Sequence, residues 1–317
     1  MFSPKGVSVN RYLRAAIAVL VSICVLPFLA CSSPGSTTSS SPLSIVDQLG
    51  RTVSIDNTPQ RIISLAPSNT EILFALGLGD RVVGVTDFDD YPSEVKEKQS
   101  IGGFRDPNLE KVVSLSPDLI LAAPIHSTQV IPQLENKGLT TVALAPTTLD
   151  EVLQAITLVG QITGTSAKAS VLVDSMQKRI KAVTDKTDKL TPYQRPKVLY
   201  VVWHDPLMGS GVGTFHDELI KKAGGVNMIT DATGYPTISL ETVVQDSPDV
   251  ILAGIGMGAG EDAPLTFAKE EPRLRDVSAR VNNRVFGVDS DTSGRAGPRI
   301  VDVLEEFARL IHPELFK

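Results

Sequence analysis

The chain has 317 residues, a net charge of −6, two cysteines and 42% hydrophobic residues. Its length predicts about two domains, and two cysteines are too few for a small disulfide-stapled module. The acidic balance argues against a nucleic-acid binder, and the hydrophobic content argues against global disorder.

The first thirty residues are typical of a secretory signal peptide. Lys5, Arg11 and Arg14 precede an almost wholly apolar run over residues 15–30, which is short for a membrane span of roughly 20 residues. An uncleaved N-terminal anchor helix is the alternative. Cleavage after residue 30 removes three basic residues and no acid, so the remaining chain carries a net charge of −9.

The segment that follows predicts a lipid anchor on a flexible tether. Phe28-Leu29-Ala30-Cys31 resembles a bacterial lipobox, which implies cleavage before Cys31 and lipidation of its thiol. Residues 31–44 are dominated by Ser, Thr, Pro and Gly and cannot bury apolar area. Because Cys24 lies in the signal, acylation of Cys31 leaves no free thiol, which excludes disulfides, zinc–thiolate sites and cysteine nucleophiles.

An internal repeat predicts two similar lobes. Residues 109–124 (LEKVVSLSPDLILAAP) and 240–255 (LETVVQDSPDVILAGI) are identical at ten of sixteen positions. In each copy a short helix ends at Ser-Pro-Asp, because proline lacks the backbone donor. The apolar run that follows suits a parallel strand covered on both faces. We therefore expect an N-lobe over residues 45–164 and a C-lobe over residues 191–317.

Strands alternate with helices in both halves. Further strands are predicted at residues 61–67, 81–85, 140–146, 197–203 and 284–290, and helices at residues 70–79, 149–164 and 215–225. This alternation indicates an α/β class with mainly parallel sheets. Between the lobes, apolar residues at helical spacing over 165–190 predict one long helix of about 37 Å that joins them.

Aromatic and charged residues cluster where the predicted strands end, which is where α/β folds bind ligands. These segments and two nearby loops contain Phe88, Tyr91, Phe104, His126, Trp203, His204, Tyr235, Asp291 and Arg295. Aromatic side chains on turn-rich loops suit a flat, bulky, partly apolar ligand in a cleft. Any one of these aromatic side chains could instead pack against the core and anchor its loop, with no role in ligand binding.

No common catalytic motif is present in the sequence: GxSxG, HExxH, CxxC and a Walker lysine are all missing. GSGVGT (209–214) lacks the spacing of a phosphate loop and indicates a plain turn. His126 and His204, one in each lobe, offer imidazoles that could reach a metal centre. Glu110 and Glu241 occupy the same place in the repeat, where the helix dipole favours a carboxylate. They could also pair with basic residues on a symmetric partner.

Four segments together resemble the cobalamin-binding proteins of bacterial ABC importers. They are RIISLAPSNTEILFALGLGDRVVGVTDFDDYP, GGFRDPNLEKVVSLSPDLILA, ISLETVVQDSPDVILAG and GRAGPRI. That family belongs to the helical-backbone class of substrate-binding proteins, shared with ferric-siderophore and haem carriers. From about residue 45 to the end, the resemblance implies two Rossmann-like lobes joined by one long backbone helix, the class III periplasmic binding protein fold.

The resemblance also implies roles for individual residues. Phe88, Phe104 and Tyr235 match cleft aromatics of the family, and Asp291 and Arg295 match a polar pair on the last ligand loop. Glu110 and Glu241 match glutamates that dock onto arginines of the permease. Ala123-Pro124 stands where the family has a cleft tryptophan, and we hypothesise that Trp203 and His204 supply a substitute wall.

The resemblance therefore implies a transport protein and no enzyme. We expect a monomer, lipid-anchored on the extracytoplasmic side of the membrane, that captures cobalamin or a related corrinoid and delivers it to an ABC permease with its ATPase. The corrinoid is cargo, so no cofactor, resident metal or nucleic-acid partner is expected. A ferric-siderophore or haem carrier is the near alternative. A secreted metal-dependent hydrolase or chelatase is the distant one, and it would need a nucleophile–base pair or a clustered ligand set.

Overall fold

The computed structural model of the chain describes residues 1–3, 42–256 and 262–316. Cys31, nearly all of the predicted tether and all but the first three residues of the predicted signal peptide lie outside these residues, so what the sequence predicts for them stays a prediction. In the described ranges, none of the helices combines the length and the hydrophobicity that a membrane span requires.

The N-lobe is built on a parallel sheet with the strand order β4-β3-β5-β6. In chain order this lobe contains β1 (Leu43–Val46), β2 (Thr52–Ile55), β3 (Ile62–Ser64), α1 (Pro67–Ala75), β4 (Val82–Gly84), α2 (Leu109–Ser114), β5 (Leu119–Ala122), α3 (Val130–Glu135), β6 (Thr141–Ala143) and α4 (Leu149–Thr163). Every residue of β3, β5 and β6 is buried, as expected for strands covered on both faces.

An antiparallel hairpin of β1 and β2 precedes the sheet. It is fixed beside β6, because the Asp47 carboxylate accepts the Ala143 N–H at 3.0 Å. Residues 43 and 44, which the sequence assigned to the tether, form the start of β1. Leu43 packs against the core, so both residues belong to the N-lobe.

The C-lobe carries a second, mainly parallel sheet with the order β11-β10-β7-β8 and with β9 against β7. After the connecting helix α5 (Ser166–Thr187), it contains β7 (Lys197–His204), β8 (Leu207–Gly209), α6 (Phe215–Lys222), β9 (Val226–Asn227), α7 (Leu240–Asp246), β10 (Val250–Ile255), α8 (Ala263–Glu270), α9 (Ser278–Val281), β11 (Val285–Asp289), α10 (Ser290–Gly294) and α11 (Ile300–Ile311). The β7–β8 pair is antiparallel.

Helix α5 joins the lobes by packing against α4 on one side and α11 on the other. Its 22 residues span about 33 Å at 1.5 Å per residue. Of the apolar residues that recur at helical spacing in this helix, Met176 and Val183 are buried, whereas Val171 is 71% exposed. The guanidinium of Arg179 also holds the Glu305 carboxylate of α11 at 2.8 Å. The predicted α/β class, with two mainly parallel sheets joined by one long helix, is confirmed.

The two copies of the repeat fold in the same way. Asn108 and Ser239 cap α2 and α7, and each side chain accepts the N–H of the third helical residue. Ser116 and Ser247 follow at equivalent positions with φ of 46° and 44°. Left-handed backbone is uncommon for serine, so the shared deviation shows that both copies end their helix by the same turn.

Candidate functional site

A cavity of about 600 Å³ lies between the two lobes. It is lined by Ala66, Pro67, Ser68, Phe88, Phe104, Arg105, Asp106, Ala123, Pro124, Leu144, Ala145, Pro146, Phe215, Asp291, Gly294, Arg295 and Ala296. The N-lobe residues mostly follow β3, β4, β5 and β6, and most of the C-lobe residues follow β11. The cavity therefore opens at the carboxyl ends of parallel strands in both sheets, where such folds bind ligands.

Three phenylalanines give the cavity its aromatic surface. Phe88 is 61% exposed and projects from the loop after β4, whereas Phe104 and Phe215 are half-buried. The sequence singled out Phe88 and Phe104 but missed Phe215. Its position at the start of α6, directly after the glycine-rich turn 209–214, is the signal that could have identified it.

The polar lining of the cavity is balanced in charge, with Arg105 and Arg295 against Asp106 and Asp291. Arg295 lies 3.3 Å from the Asp291 carboxylate and is also bonded to Asp90 of the N-lobe. Burial alone would raise the pKa of Asp90, but its hydrogen bond to Arg295 and that positive charge outweigh burial and lower it. Arg295 is therefore already neutralised by carboxylates on both lobes.

A second ion pair joins the lobes behind the cavity. Glu71 of α1 is almost fully buried, and the Arg299 guanidinium holds its two carboxylate oxygens at 2.5 and 3.1 Å. Arg295 approaches the same carboxylate at 3.6 Å. The Arg299 guanidinium also lies over the Tyr91 ring, 4.0 Å from its centre. Nothing in the sequence distinguished Glu71 from an ordinary helical acid.

The structure places the other predicted ligand residues elsewhere in the C-lobe. Trp203, His204 and Tyr235 are not among the residues that line the cavity. The Trp203 indole N–H donates to the Asp205 carbonyl at 2.8 Å, and its ring lies 5.0 Å from His204. Tyr235 is 46% exposed, with its ring 6.0 Å from His216. Only Phe88, Phe104, Asp291 and Arg295 of the predicted set meet at one site.

His126 is fully buried beside the cavity. Its Nδ1 accepts the Ala123 N–H at 2.9 Å, and its Nε2 lies 2.6 Å from the Phe104 carbonyl oxygen. Both ring nitrogens are engaged, so neither is free to bind a metal in this arrangement. His204 has a buried Nδ1 without a hydrogen-bond partner among the described residues, but it does not reach the cavity.

The described residues give little support to metal or phosphate chemistry. Within them, no three His, Cys, Asp or Glu side chains gather where they could hold a metal ion. In the turn 209–214, the N–H groups of Gly211 and Val212 donate at 2.8 Å to the carbonyls of Gly234 and Ala232. These amides are occupied by the protein itself, so the segment is a structural turn.

Glu110 and Glu241 both stand exposed in the first turn of their helices. A surface groove of about 630 Å³ runs beside Glu241 and is lined partly by Val244 and Arg273. Val113 and Val244, which are equivalent in the repeat, are 40% and 44% exposed. Each lobe therefore presents a carboxylate and an apolar side chain one helical turn apart.

The comparisons with known proteins agree with this geometry. The periplasmic binding protein family model matches residues 62–292. The uncharacterized ABC transporter substrate-binding lipoprotein YvrC of Bacillus subtilis (strain 168) is 33% identical, over 96% of this chain and 99% of that protein.

Two solved structures have the same fold, with similar identity to this chain. The periplasmic vitamin B12-binding protein BtuF of Vibrio cholerae is 27% identical with a TM-score of 0.71, covering 82% of this chain and 99% of that one. The periplasmic heme-binding protein RhuT of Roseiflexus sp. RS-1, in apo form, is 28% identical with a TM-score of 0.71, covering 81% and 99%. This chain thus belongs to the periplasmic binding protein family, with the two-lobed, helical-backbone fold of its class III members.

Proposed function

We propose that this chain captures cobalamin or a related corrinoid in the cavity between its lobes and delivers it to an ABC permease with its ATPase. The observation that carries the proposal is the cavity itself, which combines three phenylalanines with two acids and two bases. Aromatic faces suit a flat macrocycle, and a few polar groups at the rim fix its orientation. The V. cholerae relative named for vitamin B12 binding supports the same cargo.

The charge balance favours a corrinoid over the other cargoes carried on this fold. A ferric siderophore is recognised through its negative charge and needs a surplus of basic residues. Here the two arginines in the lining are offset by two aspartates, and Arg295 is bonded to Asp90 as well. Haem iron needs an axial side chain such as His, Tyr, Cys or Met. The described lining residues include none of these four types.

The ligand test is direct because each candidate cargo is coloured. We would incubate the purified protein with cyanocobalamin, a ferric siderophore or haem, desalt it, and record the retained absorbance. We expect stoichiometric retention of cyanocobalamin only. Retention of haem or the siderophore without cyanocobalamin would assign the chain to that cargo and contradict the proposal.

We also propose that Glu110 and Glu241 dock onto basic residues of the permease, and that the chain releases its cargo without chemical change. Both carboxylates are exposed, so their removal leaves the fold and the cavity intact. The Glu110→Ala, Glu241→Ala double variant should lose transport while it keeps its affinity for cyanocobalamin. Glu97→Ala with Glu270→Ala, which removes one exposed acid from each lobe, is the matched control and should transport normally.

The proposed position of the protein is the outer face of the cell membrane, held by a lipid on Cys31. One acyl chain gives only weak, reversible membrane binding, so stable retention needs an anchor with at least two acyl chains. We expect Cys31→Ser to abolish labelling by radioactive palmitate and to release the protein from the membrane fraction. Unchanged labelling in this variant would contradict the anchor.

A further inference from the structure

Two walls of the cavity meet at one buried side chain. Ala123-Pro124 forms part of the cavity lining, and so does Phe104 on the loop over residues 102–107. His126 bonds to both, through the Ala123 N–H at 2.9 Å and the Phe104 carbonyl at 2.6 Å. Its ring also meets the Phe104 ring edge to face, with 5.5 Å between centres.

The two hydrogen bonds fix the form of the imidazole. The Ala123 N–H is a donor, so Nδ1 must be the unprotonated acceptor, and Nε2 must carry the proton that it donates to the Phe104 carbonyl. A second proton on Nδ1 would set two donors against each other. The bonded pair therefore exists only with a neutral ring.

The tip of the loop over residues 102–107 depends on the hydrogen bond from His126. Its base is held by backbone bonds, from the Asp87 N–H to the Gly102 carbonyl at 2.9 Å and from the Asn108 N–H to the Ile101 carbonyl at 2.7 Å. For residues 103–107, the bond from His126 is the one hydrogen bond to another part of the described chain. Loss of this bond removes the hydrogen bond that holds residues 103–107 and leaves the two backbone bonds at the base in place.

We propose that His126 is a positioning residue for ligand binding: as a neutral imidazole it holds Phe104 at the cavity and ties it to the Ala123-Pro124 wall. The inference rests on the proposed function only in taking this cavity as the ligand site. It replaces the hypothesis, drawn from the sequence, that the His126 imidazole reaches a metal centre.

The surroundings of His126 keep its ring neutral near pH 7. Burial lowers the pKa of His126 below its ordinary value, and the hydrogen bond to the Phe104 carbonyl offsets only part of that effect. The loop carries exposed Arg105 and Asp106, β5 carries no charged residue, and Glu135 of α3 is paired with Arg51. None of these charges contributes to the shift.

A single-tryptophan reporter tests the positioning without any ligand. The chain has one tryptophan, so Phe104→Trp in a Trp203→Phe background places the only indole on the loop tip. His126→Asn keeps an acceptor for the Ala123 N–H but is too short for the Phe104 carbonyl, whereas His126→Gln can reach that carbonyl with its amide. We expect acrylamide quenching of the reporter to rise about twofold in the Asn variant and to stay near the parent value in the Gln variant.

Acidification separates positioning from folding. As the pH is lowered from 7.5 to the point at which circular dichroism first detects unfolding, the reporter emission should shift to the red in the parent and stay constant in the Gln variant. A red shift of the same size in the Gln variant would overturn the proposal. This comparison remains decisive even where the Asn variant fails to fold.

Ligand affinity supplies the third readout. This experiment uses the protein that keeps Phe104 and Trp203. Its affinity for cyanocobalamin at pH 7.5 should fall about tenfold in His126→Asn, the scale of one lost hydrogen bond, and less than threefold in His126→Gln. Equal losses in both variants would contradict positioning through the Phe104 carbonyl. A parent that binds no cyanocobalamin would refute the proposed cargo, while the reporter would still decide the role of His126.

Discussion

His216 makes the stability of the C-lobe depend on pH. It is buried at the start of α6, its ring centre lies 3.9 Å from that of Tyr200, and neither ring nitrogen has a hydrogen-bond partner among the described residues. Burial lowers the pKa of His216 from 6.5 to about 4. The folded protein thus keeps this ring neutral under conditions in which the unfolded chain protonates it.

The sign and size of the effect follow from linkage. As the pH falls below 6.5, the unfolded state takes up the proton first, so the free energy of unfolding decreases until the pH reaches about 4 and then levels off. Relative to high pH, His216 lowers the free energy of unfolding by about 0.2 kcal/mol at pH 7, about 2 kcal/mol at pH 5 and about 3 kcal/mol at pH 4.

His216→Phe tests this calculation, because phenylalanine keeps the stacking on Tyr200 and cannot titrate. Urea unfolding at pH 7.5 and pH 5.0, followed by the fluorescence of Trp203, gives the free energy of each protein at each pH. The advantage of the variant over the parent should grow by about 2 kcal/mol on acidification, since all other titrating groups are common to both. Tyr235→Phe, which alters a neighbour of the ring but not the imidazole, should show no such growth. A change below about 0.5 kcal/mol would refute the reasoning.

Three further outcomes follow from the contacts described. Glu71→Gln leaves two interlobe arginines without a buried carboxylate and should lower the free energy of unfolding by about 3 kcal/mol in urea denaturation, whereas Glu97→Gln on the surface should change it by less than about 0.5 kcal/mol. Phe104→Ala should weaken cyanocobalamin binding at least tenfold in titration calorimetry, by removing about 2 kcal/mol of apolar contact, while Trp203→Phe outside the cavity should leave it unchanged. Gly211→Ala drives a methyl group into the backbone carbonyl of residue 232 and should lower the melting temperature by several degrees.

The sheets could be predicted from the sequence because their strands are continuous apolar runs. β5 and β10 lie inside the repeat and are buried along their length, apart from the half-buried Ile255 at the end of β10. Buried parallel strands have no exposed face to break such a run. β8 escaped detection, because it has three residues and pairs antiparallel at the sheet edge. The β1–β2 hairpin was missed for a similar reason, since its strands are half-exposed and short.

The site was predictable only in part. The ends of the strands indicate where ligand-binding loops begin, but they do not indicate whether the following residues face the cavity. Phe88 and Phe104 lie on loops that lead away from β4 and toward α2, and they face the cavity. The residues after β7 instead turn back into antiparallel β8, and the Trp203 indole is bonded to the Asp205 carbonyl inside that turn. A hairpin at the end of a strand thus removes its last residues from the edge where the other strands converge. The alternation of strands and helices in the sequence carries no sign of this reversal.

Glu71 is a buried acid between the lobes that its sequence context does not reveal, and it bears on how the ligand site is connected to the contact between the lobes. The residue sits in an apolar helix of the N-lobe, yet its carboxylate holds Arg299 through two hydrogen bonds and attracts Arg295 from the C-lobe. A buried acid with two basic partners costs a great deal to separate, because each charge would be left without compensation. The lobes are therefore tied together by these charges and by the packing of α5 against both lobes. Since Arg295 also borders the cavity and is bonded to Asp90, a ligand that takes a hydrogen bond from its guanidinium draws on the same group that joins the lobes. We expect cargo capture to change the interlobe contacts of Arg295 by small displacements at the cavity rim, with α5 preventing a wide opening.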